Sequence, residues 1–330
     1  MSADQERRSR LLSLKLRALV RDHLSLEAEP QGTPHVFAPG AAFVTDDAAW
    51  FLIDGDATRS LGPVLAWSAA NSVRVPLNIL TDENGGVVAR RAALFAPQVS
   101  VWHVDDRTLR AVEPAAHLPS VMPKADHMSF APLIESSGAD VVIEHGVVVG
   151  EVRGLEMCRV VADENDGSPR LEVGMGAHDR EAFAMVHGHL PTEDALRQMM
   201  DAVLPHRVPG ALQHPLNKFA AERLIRWNVM QDPGSVGCAS LAPAEPPVKR
   251  INLKDAVPCV AVGIDADGGT VAVTFVHGAD LDAVPFALDA ADRLGTGRAV
   301  LVMRSQDVTR STEALAAMAG ASLTLKRLPA

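Results

Sequence analysis

The chain predicts an α/β fold in which two ββαβαβ units flank a central α+β region. Three observations point to it. Apolar residues are 47% and charged residues 22% of 330 positions, a globular balance that excludes disorder and collagen-like repeats. Short apolar runs of strand length alternate with amphipathic stretches at both ends of the chain. Placing Gly55 on Gly278 sets the run at 75–80 on the run at 298–303 without a gap, which points to an internal duplication. Residue identity between the copies is very low, so the match is one of pattern. The expected segments are 1–38, a helix and linker; 39–121, the first unit; 122–250, the centre; and 251–330, the second unit.

Residues 5–24 fit an amphipathic helix with Leu12, Leu16, Leu19 and Leu24 on one stripe and Arg and Lys between them. Such a stripe packs on its own protein or docks on a partner. Residues 29–39 carry Pro and Gly and read as a linker. Strands are then expected at 42–45 and 50–53, a helix at 61–70, a strand at 75–80, a helix at 88–95 and a strand at 99–104. The C-terminal copy gives strands at 259–264 and 271–276, a helix at 281–293, a strand at 299–303, a helix at 311–319 and a strand at 323–328. In the centre, 127–137 reads as a helix, and 139–144, 147–153, 155–161 and 171–173 read as strands. Gly154 marks a bend or bulge. Helices follow from His178, from Thr192 as an N-cap, and across Leu216 to Trp227. The proline-rich 242–248 reads as a second linker.

Lys and Arg total 31 against 41 Asp and Glu, a net charge of −10 that repels a phosphate backbone. General nucleic-acid binding is therefore not expected, and tyrosine is absent for base stacking. No run of about 18 apolar residues occurs, so no membrane span is expected. Cys158, Cys238 and Cys259 are odd in number and widely spaced, which speaks against a disulfide framework or a zinc knuckle. Each has small or apolar neighbours and reads as a buried hydrophobe in a reducing, cytoplasmic setting. The partner stays open, a second copy of this chain included.

The centre holds seven of the 12 His. There, Asp140, Glu151 and Arg153 resemble the acid, acid-x-basic core of the restriction-endonuclease-like nucleases. That resemblance implies two carboxylates on Mg²⁺ or Mn²⁺ and a basic residue at the phosphate. Arg replaces the usual Lys and cannot act as a base. Gly174-x-Gly176-x-His178-Asp179-Arg180 lies between a strand and a helix. Its backbone N–H groups and Arg180 could receive an anion, and His178 could move a proton near neutral pH. His187-Gly188-His189 lacks the spacing to share a helix face with His178. Asp280 and Asp282, with Asp265 and Asp267, form a fourth acidic candidate. No dinucleotide fingerprint, P-loop or G-x-S-x-G is present, so no nucleotide cofactor is expected. Three functions remain: a metal-dependent hydrolase of a phosphate-bearing substrate, a pseudo-symmetric scaffold, and a small-molecule anion binder.

Overall fold

The computed structural model describes residues 3–94, 99–187, 192–208, 214–250 and 257–329. From the N-terminus the elements are α1 (Ala3–His23), β1 (Thr33–Phe37), β2 (Gly40–Val44), β3 (Ala49–Ile53), α2 (Leu61–Ala70), β4 (Leu77–Thr81), α3 (Gly85–Ala93), β5 (Val99–Asp105) and β6 (Thr108–Ala111). The centre holds α4 (Ala125–Met128), α5 (Ala131–Ser136), β7 (Asp140–Glu144), β8 (Val147–Val152), β9 (Leu155–Ala162), β10 (Pro169–Val173), α6 (Ala177–His187), α7 (Thr192–Val203), α8 (Ala221–Gln231) and β11 (Cys238–Ala244). The chain ends with β12 (Cys259–Asp265), β13 (Thr270–Phe275), α9 (Ala283–Leu294), β14 (Ala299–Arg304), α10 (Arg310–Ala319) and β15 (Leu323–Leu328). The fold is mixed α/β, as expected. The order ββαβαβ occurs in both predicted places, but this likeness of order does not establish the expected duplication. At both ends an antiparallel hairpin leads into a parallel neighbour, β3 beside β4 and β13 beside β14.

The chain divides into two compact units. The first comprises Met1–His117, Ala279–Asp292 and Val308–Leu325. Its sheet runs β1-β2-β3-β4-β5-β6, with β3, β4 and β5 parallel. Every residue of β3 and β4 is buried, the mark of strands covered on both faces. One face meets α1 through Leu16, Leu19 and Val20, which pack on Phe43, Trp50, Leu52 and Leu80. Val20 takes the place expected for Leu24, which lies past the helix end and is exposed. The basic N-terminal helix thus has its apolar stripe on its own sheet. On the opposite face Trp67 of α2 meets Phe51 edge to face, and α3 lies beside α2.

Helices α9 and α10 belong to this unit. Asp282 accepts the Gly62 N–H of α2 at 2.9 Å. Asp289 of α9 is fully buried and receives Arg90 Nε at 2.7 Å and Arg91 Nε at 3.0 Å from α3. The stretch 29–39, expected as a linker, carries the edge strand β1.

The second unit comprises Leu118–Gly278, Arg293–Asp307 and Lys326–Ala330. One sheet runs β10-β9-β8-β7, all antiparallel. The other runs β11-β12-β13-β14-β15. The stretch 242–248, expected as a linker, begins inside β11, and an edge strand is where proline is tolerated. On the first sheet, Val148, Val152, Leu155, Met157 and Leu171 form an apolar face under Ile134 of α5 and Leu196, Met200 and Val203 of α7. Gly154 is not the bulge, which falls at Gly150 and Glu151. Instead Arg153 and Gly154, both at positive φ, make the two-residue turn between β8 and β9. A Cβ on Gly154 would lie 2.4 Å from the Arg223 backbone, so glycine lets this turn touch α8.

The cysteines are free and buried. Burial pushes the thiols of Cys158 and Cys259 up to about 12. No described helix is long and apolar enough to cross a membrane.

Removing Asp289 leaves two buried guanidiniums without their carboxylate. Asp289→Ala is expected to lower unfolding stability by about 3–5 kcal/mol. Exposed Asp166, replaced by Ala, should stay within about 0.5 kcal/mol of wild type. Urea unfolding measures both, and equal midpoints for the two variants would refute the assignment.

Candidate functional site

The second face of the β7–β10 sheet is charged, and it is not left to water. Strand pairing places Asp140 opposite Glu151, Glu144 opposite Val147, Val149 opposite Arg159, and Arg159 opposite Glu172. Glu156 also pairs with Glu151 across β8 and β9, so the same face carries it. Buried carboxylates need cations or strong donors. Helix α8 supplies them. Its Ile225 and Val229 pack on Cys259, Ala261 and Val273 of the other sheet. Arg223 and Arg226, three apart, share the remaining face. Arg223 bonds both Glu151 and Glu144. Arg226 reaches Glu144 Oε1 at 3.1 Å and Glu151 Oε2 at 3.0 Å. Burial works against the charge on Glu144, but Arg223 and Arg226 overcome it and hold the carboxyl at about 2.

Beside this quartet lies a second set. Arg159 grips Glu156 with two bonds, at 2.9 and 2.8 Å. Arg180 adds a bond to Glu156 at 3.2 Å and one to Glu172 at 3.0 Å. Both acids are thereby engaged. Arg250 lies between the sets with only 8% of its side chain exposed. Its nearest carboxylates are Glu222 at 3.7 Å and Glu156 at 4.0 Å, both beyond hydrogen-bond reach. Among the described residues its Nη1 has no hydrogen-bond partner. Burial, and then repulsion from Arg223, lower the Arg250 pKa. Burial likewise raises Glu222.

A cleft of about 40 Å³ opens here. Its polar lining is Glu144, His145, Glu156, Arg159, Arg223, Lys249 and Arg250. Four cations thus face two carboxylates, of which Arg223 already engages Glu144 and Arg159 already engages Glu156. His145 sits in the turn after β7, where Glu245 accepts its backbone N–H at 2.8 Å. Burial lowers its pKa, and its Nε2 is buried without a partner. The volume holds roughly three waters, or one tetrahedral oxyanion.

The structure brings Asp140 and Glu151 together on adjacent strands, as the expected metal pair requires. Their chemistry does not suit a cation. Both Glu151 oxygens receive arginine N–H groups, and those guanidiniums place positive charge where a metal would sit. Asp140, at the exposed start of β7, accepts Trp227 Nε1 at 2.9 Å. Arg153 forms no ion pair with either acid among the described residues. It donates to the Arg207 carbonyl at 2.7 Å and lies over the Trp227 ring. Among the described residues, no group of three or more His, Cys, Asp or Glu is placed to hold a metal ion.

The Gly174–Arg180 turn closes on itself. Asp179 accepts the Met175 N–H at 2.6 Å. A Cβ on Gly174 would lie 2.7 Å from the Arg180 nitrogen, so this glycine seats the turn against the helix. Gly176 caps the first turn through its carbonyl to Arg180 N–H. Arg180 is committed to Glu156 and Glu172. His178 lies in α6, and its side chain is outside the described ones, as is that of His187; Gly188 and His189 are outside the described residues. In the first unit Asp280 accepts the Asp282 N–H and Arg59. In the second, Asp265 accepts the N–H groups of Asp267 and Gly269 in its own hairpin turn.

Sequence reading missed Arg223, Arg226, Lys249 and Arg250. One signal was present: two arginines three apart in a helix otherwise read by Leu224 and Trp227. Comparison with family models, with curated proteins and with solved structures finds no match for this chain.

The Glu144 carboxyl, held at about 2 against an ordinary 4.5, stabilises the folded chain above pH 4.5. That contribution, about 3 kcal/mol, is lost as pH falls from about 4.5 to about 2. Glu144→Gln should therefore be less stable at pH 7 and converge on wild type near pH 2. Urea midpoints at pH 7, 4 and 3 measure this, and a constant gap between the two proteins would rule it out.

Proposed function

We propose that the central region binds a small oxyanion, the phosphate or carboxylate head group of a small molecule, in the Arg250 cleft. The observation that carries this reading is Arg250 itself: a buried guanidinium that lines a cleft of oxyanion size and whose Nη1, 3.7 Å from Glu222, has no hydrogen-bond partner among the described residues. A buried guanidinium whose N–H groups are not all satisfied is costly, and an oxyanion supplies acceptors in the fork geometry that arginine prefers. Lys249, exposed at the cleft, adds charge that draws the ligand in. His145 adds one ring nitrogen, Nε2, that has no hydrogen-bond partner among the described residues. This keeps the anion-binding reading and moves it from the Gly174–Arg180 turn to residues on α8 and after β11.

The hydrolase reading fares less well, because Glu151 is engaged by two arginines and Arg153 donates to the Arg207 carbonyl. The scaffold reading rested partly on a docking N-terminal helix, and that helix has packed its stripe at home.

Isothermal titration at low salt with inorganic phosphate, sulfate and acetate tests the proposal. One site per chain is expected, with phosphate tightest if the natural group is a phosphate. Arg250→Met should weaken binding by about tenfold or more, the loss of one charged hydrogen-bond donor set. Lys249→Ala, an exposed change, should fold normally and bind more weakly. Absence of saturable heat with all three anions would sink the idea, as would unchanged binding in Arg250→Met.

A further inference from the structure

The first unit contains a pocket that is chemically unlike the arginine cleft. Its volume is about 440 Å³, within the range of small-molecule sites. Leu65 and Ala69 of α2, Val73, Val75, Pro76 and Met318 of α10 make most of the wall. Two polar groups interrupt it. Ser68 lines the pocket and is only 5% exposed, yet its hydroxyl has no hydrogen-bond partner. A buried helical serine ordinarily bonds back to the carbonyl four residues earlier. Leaving that hydroxyl unsatisfied costs about 1–3 kcal/mol unless something else meets it. The second group is Arg74, exposed and lining the same pocket, with no ion-pair partner among the described residues.

We propose that this pocket binds a small apolar acid. The apolar body would lie against Leu65, Val73 and Met318, the carboxylate against Arg74, and the Ser68 hydroxyl would donate to the ligand's polar end. An uncharged apolar molecule would leave Arg74 unused. A polar anion such as phosphate would leave the apolar wall wet. The amphipathic acid satisfies both, and it separates this pocket from the oxyanion cleft, whose lining carries four cationic and two carboxylate side chains.

The test uses the full chain and the fluorescent probe anilinonaphthalene sulfonate, an apolar anion. Wild type should bind it saturably, and decanoate should displace it. Decanol, matched in length and uncharged, should displace it about tenfold more weakly. Arg74→Ala should bring decanoate down to the level of decanol. Ala69→Trp, at a solvent-exposed helix position that also lines the pocket, should fill it and abolish displaceable binding. Urea midpoints confirm that this variant folds. Should it not fold, Ser68→Ala, which removes only the unpartnered hydroxyl, should weaken decanoate severalfold and leave the unliganded chain at least as stable as wild type. Three outcomes overturn the proposal: no saturable probe binding to wild type, equal displacement by decanol and decanoate, or undiminished decanoate displacement in a folded Ala69→Trp or Ser68→Ala variant. Phosphate titration of Arg74→Ala should match wild type, so the failure of either site stays distinct from that of the other.

Discussion

The second unit is organised around two arginines of one helix. Arg223 and Arg226 bind the carboxylates of Glu144 and Glu151, while the opposite side of α8 lies in an apolar core. Each group is buried, so each interaction runs through a medium of low effective dielectric. An ion network of this kind is weak evidence for net stability, since burial of the charges opposes their attraction. Its effect is on arrangement. A helix rotated by one residue would place apolar side chains against carboxylates and guanidiniums against the core. Only one rotation and one height satisfy all four charges. The Arg153-Gly154 turn, touching the Arg223 backbone, fixes that height from the other side.

The cleft proposed to receive an anion is a by-product of that arrangement. Glu144 and Glu156 each have two arginine partners, so Arg250 arrives among carboxylates whose acceptor positions are occupied. The surplus is the Arg250 guanidinium, which lies over the central strands β8 and β9. The first unit handles charge differently. There, adjacent Arg90 and Arg91 converge on the one carboxylate of Asp289, and Arg90 also donates to the Ala115 carbonyl at 2.9 Å. Backbone oxygen absorbs what the carboxylate does not. The same residue types make a sealed joint in one unit and an open one in the other, and the difference lies in the neighbouring acceptors.

Much of the architecture was legible because period and punctuation are local. The helix at 61–70 and the strand at 323–328 were read to the residue, since apolar runs there end at turn residues. Strands β1 and β11 were not legible. Their prolines argue for linkers, and only the edge positions they occupy in sheets excuse those residues. Asp140 and Glu151 were legible as neighbours, because a strand pair joined by a short turn sets its own register. Their partners were not. Arg223 lies 72 residues from Glu151, and no local pattern reports which helix will cover a charged strand. A site built from such distant charges emerges only when the layers are assembled.

The buried cysteines have a consequence for handling the molecule. Thiolate is the reacting species, and burial holds Cys158 and Cys259 in the thiol form at every physiological pH. Alkylating reagents and mild oxidants therefore meet an unreactive surface while the chain is folded. Opening of the sheets that enclose these residues exposes them, so the rate of thiol labelling becomes a clock for native-state opening. Cys158 reports on the β7–β10 sheet and Cys259 on the β11–β15 sheet, and a single cysteine introduced on the surface could carry a label without removal of the native three.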